Sequence, residues 1–107
     1  MDILDTIKQQ IEENDIILYM KGSPNAPQCG FSSRTSQAVM ACGQRFAYVD
    51  VLSNPDIRTH LPKYANWPTF PQLWVKGELV GGCDIVAELH ETGELKQMID
   101  AASPAAE

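Results

Sequence analysis

Apolar residues fall at Ile3, Leu4, Ile7 and Ile11, with polar Asp5, Lys8, Gln9 and Glu12 between them. That spacing predicts an amphipathic helix over Asp2 to Glu13, packed by one face onto the domain. Ile16-Ile17-Leu18-Tyr19-Met20 is an unbroken apolar run, β-rich at its start, and reads as a buried central strand. Lys21 to Gln28 is rich in Gly, Pro and Asn and reads as a loop, neither helix nor ladder. A second helix is predicted from Cys29 to Cys42, with Phe31, Ala38, Val39 and Cys42 inward and Gly43 as its stop. Phe46, Tyr48 and Val49 make Arg45 to Val51 a strand. Asn54-Pro55 starts the next helix, with Asn as cap and Pro in the first turn. Ile57, Leu61 and Tyr64 give that helix a face, and Pro62 is expected to shorten or bend it.

Trp67-Pro68-Thr69-Phe70-Pro71 is too rich in proline for regular structure. Short strands at Gln72 to Val75 and Glu78 to Val80 flank Lys76-Gly77, a two-residue hairpin turn. Gly81-Gly82 breaks the second strand, and Asp84 is expected to cap a helix through about His90. Beyond Gly93, Glu94 to Ala101 forms the last helical turns, with a disordered tail expected over 102–107. A βαβ unit followed by a hairpin and helices implies a mixed four-stranded sheet with helices on both faces. That is a thioredoxin-like α/β architecture, expected to fill residues 1–107 as one domain.

Composition narrows the classes. No apolar run of about 18 residues exists to span a membrane. The acidic start, Met1-Asp2-Ile3-Leu4-Asp5, has no secretory h-region. Three cysteines argue against a disulfide framework, so a reducing compartment, the cytoplasm, is expected. A net charge of −6 disfavours nucleic acid as a partner. Lys21, Arg58 and Lys63 nevertheless fall near the motifs that carry chemistry, where a local cationic pocket would suit a small anion.

The chemistry centres on Cys29-Gly30-Phe31-Ser32, which reads as a two-cysteine redox motif lacking its second cysteine. An internal disulfide cannot form through this motif. Cys29 therefore needs a thiol from elsewhere, or it holds a metal centre.

Lys21, Cys29-Gly30-Phe31-Ser32, Trp67-Pro68-Thr69-Phe70-Pro71-Gln72 and Gly81-Gly82-Cys83-Asp84 stand in an order and spacing that resembles the monothiol, CGFS-type glutaredoxins of the single-domain bacterial kind. The resemblance runs from about Ile16 to Leu95. It implies a glutathione site, and it implies a cis Phe70-Pro71 bond, where sequence alone would favour a trans turn proline. The backbone of Phe70, beside Thr69 and Pro71, would then pair with an extended ligand.

The residues themselves are consistent with that reading. A helix start and Lys21 both favour the Cys29 thiolate, whereas a buried inert cysteine would need apolar neighbours that Gln28 and Gly30 do not supply. Gly82 permits close approach, the N–H groups of Cys83 and Asp84 can receive a carboxylate, and the Asp84 side chain can meet an ammonium. Taken alone, Gly81-Gly82-Cys83-Asp84 also fits a plain Gly turn and helix cap. Lys21, Arg58 and Lys63 could hold the opposite carboxylate of glutathione, Lys63 being the weakest of the three. Cys42 reads as a core residue, and Trp67 either packs in the core or lines the pocket rim, with packing preferred. Cys83 reads as a backbone contact whose thiol could also resolve an oxidised Cys29. His60 and His90 lack partners at zinc spacing.

The resemblance further implies a [2Fe–2S] cluster bridged by Cys29 from each of two subunits and two glutathiones. It also implies a BolA-like partner, apo iron–sulfur proteins as recipients, and a role in cluster assembly, storage or transfer. The alternative is a glutathione-dependent oxidoreductase working through Cys29 alone. Any such enzyme activity is expected to be weak.

Overall fold

The computed structural model describes residues 2–103. Helix α1 (Ile3–Glu13) is capped by Asp2, whose carboxylate accepts the Leu4 N–H at 3.4 Å. Strand β1 (Ile16–Met20) follows, then two short strands, β2 (Gly22–Ser23) and β3 (Ala26–Pro27). After them come α2 (Gly30–Ala41), β4 (Ala47–Asp50), α3 (Pro55–Ala65), β5 (Gln72–Val75) and β6 (Glu78–Gly81). Helices α4 (Cys83–Thr92) and α5 (Glu94–Ala102) complete the described chain.

The main sheet has the order β4-β1-β5-β6. β1 runs parallel to β4 and antiparallel to β5, and β5 and β6 form a hairpin. Both turn residues, Lys76 and Gly77, have positive φ, which matches the twist of a two-residue hairpin. Alternation along β1 divides the core between the two faces of the sheet. Ile16, Leu18 and Met20 pack with Val39 of α2 and Cys42 at its C-cap, Val86 of α4 and Leu95 and Ile99 of α5. Ile17 and Tyr19 pack with Ile7 and Ile11 of α1 and Ile57 and Leu61 of α3. All five β1 side chains are buried, and a fully buried Leu or Ile contributes about 1.5–3 kcal/mol. The fold is thioredoxin-like, with helices on both faces as expected.

Five local expectations are corrected. Lys21 to Gln28 does contain a ladder, because Gly22 pairs with Pro27 and Ser23 with Ala26. Phe31 does not face the core and is 59% exposed. Pro62 does not shorten α3, which continues to Ala65. It closes in a left-handed Asn66, with Asn66 N–H on Lys63 O (3.3 Å) and Trp67 N–H on Pro62 O (3.0 Å), a Schellman arrangement that sends the chain sharply away. Asp84 lies inside α4, and Gly82 is the cap. Ala102, placed in the tail from sequence, closes α5 and is buried, and the Ser103 hydroxyl donates to Gln44 Oε1 at 3.0 Å. The rest of the expected tail, 104–107, lies outside the described residues.

Candidate functional site

A cleft of about 620 Å³ opens where the loop after β3, the loop before β5 and the start of α4 converge. Lys21, Cys29 and Phe31 line one side. Trp67, Thr69, Phe70 and Pro71 form another, and Gly82, Cys83, Asp84 and Ile85 a third. Arg58 and Pro62 reach it from α3. The structure thus brings together every candidate residue from the sequence except Lys63, which is exposed on α3 outside the lining.

Cys29 is the N-cap of α2 and is partly exposed. Its thiol titrates below the ordinary thiol value. The Ser32 backbone N–H does most of this; partial burial opposes it; the Phe31 N–H, the Lys21 charge and the Ser32 hydroxyl add to the lowering. Alkylation of Cys29 should therefore have its pH midpoint below the free-cysteine value of ~8.5. A midpoint at or above that value would show that the helix start does not activate the sulfur. Cys42 differs: it is buried, its Sγ donates to Ala38 O at 3.4 Å, and burial pushes its thiol up.

Ser32 is more than a missing cysteine. It is fully buried, and its Oγ accepts the Lys21 N–H at 3.0 Å, tying the end of β1 to the first turn of α2. Sulfur is a weak acceptor, so Ser32→Cys leaves that N–H poorly paired. Reduced Ser32→Cys protein should lose about 1–2 kcal/mol in urea unfolding, yet form a disulfide between Cys29 and the introduced thiol on oxidation. Wild-type stability in the reduced variant would mean that the hydroxyl is no strut.

The Trp67–Pro71 wall is held by Gln72, for which sequence reasoning had no role. Gln72 is fully buried. Its Nε2 donates to Trp67 O (3.1 Å) and Thr69 O (3.3 Å), and its Oε1 accepts from Trp74 Nε1 (3.1 Å). A polar side chain inside an apolar strand was the available signal. The Phe70–Pro71 bond is cis. Trp67 lines the cleft instead of packing away from it, and its indole Nε1 is buried without a hydrogen-bond partner.

Opposite, Gly82 leaves a gap that a Cβ would fill, at 3.2 Å from Pro71 O and 3.5 Å from Trp67 Nε1. Beside it the free N–H groups of the first turn of α4 face an anion favourably. Ion pairs among the described residues join Lys76 to Asp15 and Lys96 to Asp100, so the charges of Lys21, Arg58 and Asp84 are not consumed by one. The cleft therefore gathers two cations, a carboxylate and the N–H groups of a helix start in one lining.

Comparison with known proteins agrees with this arrangement. The glutaredoxin family profile matches residues 16–80, more than half of the chain. Glutaredoxin 4 of Escherichia coli strain K12 is 69% identical over 96 residues, covering 90% of this chain and 84% of that protein. The chain belongs to the glutaredoxin family. Glutaredoxin 4 of Buchnera aphidicola (strain Bp) is 64% identical over 98 residues, covering 92% and 91% of the two chains. Among solved structures, reduced poplar apo GrxS14 superposes with a TM-score of 0.79 at 38% identity, over 94% of this glutaredoxin and 92% of that chain. A buckwheat glutaredoxin–glutathione complex superposes with a TM-score of 0.79 at 26% identity, over 92% and 88%. Among the described residues no helix is long and apolar enough to cross a membrane, and no group of three or more His, Cys, Asp or Glu could hold a metal ion.

Proposed function

We propose that this glutaredoxin is a monothiol, single-domain cytoplasmic protein that binds glutathione and carries a [2Fe–2S] cluster between two copies of itself. The observation that carries the reading is the isolation of Cys29. Ser32 stands buried one turn along from it, and Cys42 is sealed in the core. Cys83 lines the cleft but is buried, 8% exposed. Four sulfur ligands are needed for the cluster, and one chain offers one accessible thiolate. The others come from Cys29 of a second copy and from two glutathiones.

The cleft fits glutathione. Lys21 and Arg58 suit the carboxylate of its glycine end. The Phe70 backbone beside Thr69 and Pro71 suits the extended middle. The gap at Gly82, the N–H groups of Cys83 and Asp84, and the Asp84 carboxylate suit the γ-glutamyl carboxylate and ammonium. Cluster and glutathione are cargo and exchangeable ligand, which suits handover to apo iron–sulfur proteins, with a BolA-like protein as a second partner.

Size-exclusion chromatography with visible detection tests this. Protein supplied with iron, sulfide and glutathione under anaerobic conditions should elute as a coloured dimer. Gel filtration that removes glutathione should release the cluster and return monomer. A cluster that survives complete glutathione removal would mean the ligands are assigned wrongly.

The lowered Cys29 thiol supports a second, slower activity. Its thiolate attacks the glutathione sulfur of a protein mixed disulfide, the S–S bond breaks, and the protein thiolate leaves. A second glutathione thiolate then regenerates Cys29 and releases glutathione disulfide.

A further inference from the structure

Three backbone groups at the end of β1 are tied to three different parts of the fold. The Lys21 N–H donates to Ser32 Oγ in α2, and Lys21 O accepts the Gln28 N–H at 2.9 Å. The Gly22 N–H donates to Asp50 Oδ1 at 2.9 Å, across to the end of β4. Between Lys21 and Gln28 lies the β2–β3 hairpin, which leads straight into Cys29. That ladder has only two residue pairs, and Pro27 has no N–H to contribute. A two-strand ribbon this short is not stable by itself, so its position depends on what holds it from outside.

We infer that Asp50 is a positioning residue for the cleft: its carboxylate fixes the hairpin that carries the chain from Lys21 to Cys29. Asp50 is well suited to anchor something else, because its own backbone is held on both sides. Val51 N–H donates to Met20 O at 2.9 Å, Asn54 Nδ2 donates to Asp50 O at 2.9 Å, and Val51 is fully buried. The carboxylate is equally constrained. Oδ1 also accepts the Leu52 N–H at 2.9 Å, and Oδ2 accepts the Ser53 hydroxyl at 2.9 Å. The Gly22 N–H leads in holding the carboxyl below its usual range; partial burial opposes it, and the Leu52 N–H, the Ser53 hydroxyl and the Ser53 N–H add to the lowering. The carboxylate therefore stays ionised at neutral pH, with its oxygens free to accept. It is a strut, and what it sets is where Lys21 and Cys29 stand relative to the Gly82–Asp84 wall.

The role rests on the proposed glutathione site, and three variants test it by calorimetry with reduced glutathione. Asp50→Asn keeps an oxygen for the Gly22 and Leu52 N–H groups, and should bind within about twofold of wild type. Asp50→Ala removes the acceptor and should bind about fivefold to tenfold more weakly, with faster exchange of the Gly22 amide. Asp50→Glu, which retains charge but moves the oxygens by a methylene, should weaken binding about fivefold and carries the test if Asp50→Ala does not fold. Binding within twofold of wild type by folded Asp50→Ala or Asp50→Glu would overturn the inference, as would Asp50→Asn as weak as Asp50→Ala. If wild type itself does not bind glutathione, the glutathione reading fails. In that event unchanged Gly22 exchange and unchanged Cys29 alkylation in Asp50→Ala overturn the positioning role separately, and a change in both upholds it.

Discussion

Cys29→Ser should abolish both the colour and the dimer of protein reconstituted with iron, sulfide and glutathione, whereas Cys42→Ser should abolish neither. The contrast follows from where the two sulfurs stand. Cys29 sits at the helix start of an open cleft with its thiol lowered; Cys42 is 4% exposed in the core with its thiol raised. A serine hydroxyl does not replace a thiolate on iron, so each protomer of Cys29→Ser loses its only accessible protein ligand. The expected change is from a coloured dimer to colourless monomer in size-exclusion chromatography. The Cys42 change should instead cost stability alone, on the order of 1–2 kcal/mol for placing a hydroxyl in an apolar site. Colour that persists in Cys29→Ser would move the cluster to Cys83, the other sulfur lining the cleft.

Much of this arrangement is legible in the sequence because it depends on local signals. β1 is an unbroken apolar run because it is buried on both faces, and Lys76-Gly77 marks a turn needing two positive φ angles. The four motifs lie far apart along the chain but mark the ends of elements, where the topology gathers them. What escapes a reading of the sequence depends on partners distant along the chain. Asp50 looks like the polar end of a strand; its meaning comes from Gly22, 28 residues earlier. Ser32 acquires its role from Lys21, and Gln72 from Trp67, Thr69 and Trp74. Helical periodicity turns Phe31 inward, but it stands in the first turn of α2, at the open cleft. The sequence leaves Trp67 between core packing and the pocket rim, and in the fold it follows the Schellman turn at Asn66 and lines the cleft.

Gly22→Ala should open the β2–β3 hairpin and remove most of the glutathione affinity while leaving the rest of the fold in place. Gly22 has φ +91°, a conformation that favours glycine. A Cβ there would stand 2.5 Å from Ala26 O and 2.7 Å from Gln28 N. Both are backbone atoms, so no side chain can rotate away. Strain at such a position costs about 1–3 kcal/mol and overpacking about 1–3 kcal/mol more. The cheapest relief is local, because only two ladder pairs and the Asp50 tie hold the hairpin. Urea unfolding should therefore show a loss of about 1–3 kcal/mol, limited to what the hairpin contributes, with the m-value reduced because less surface remains to be exposed. Glutathione binding should fall by about tenfold or more, since Lys21 and Cys29 flank the displaced segment. Gly43→Ala separates the two causes. Gly43 has φ +80° but nothing within 4 Å of a Cβ, so it carries backbone strain without a clash and lies away from the cleft. It should cost about 1 kcal/mol and leave glutathione affinity at the wild-type value. Wild-type affinity in Gly22→Ala as well would mean that the hairpin does not align the cleft, and that α2 alone places Cys29.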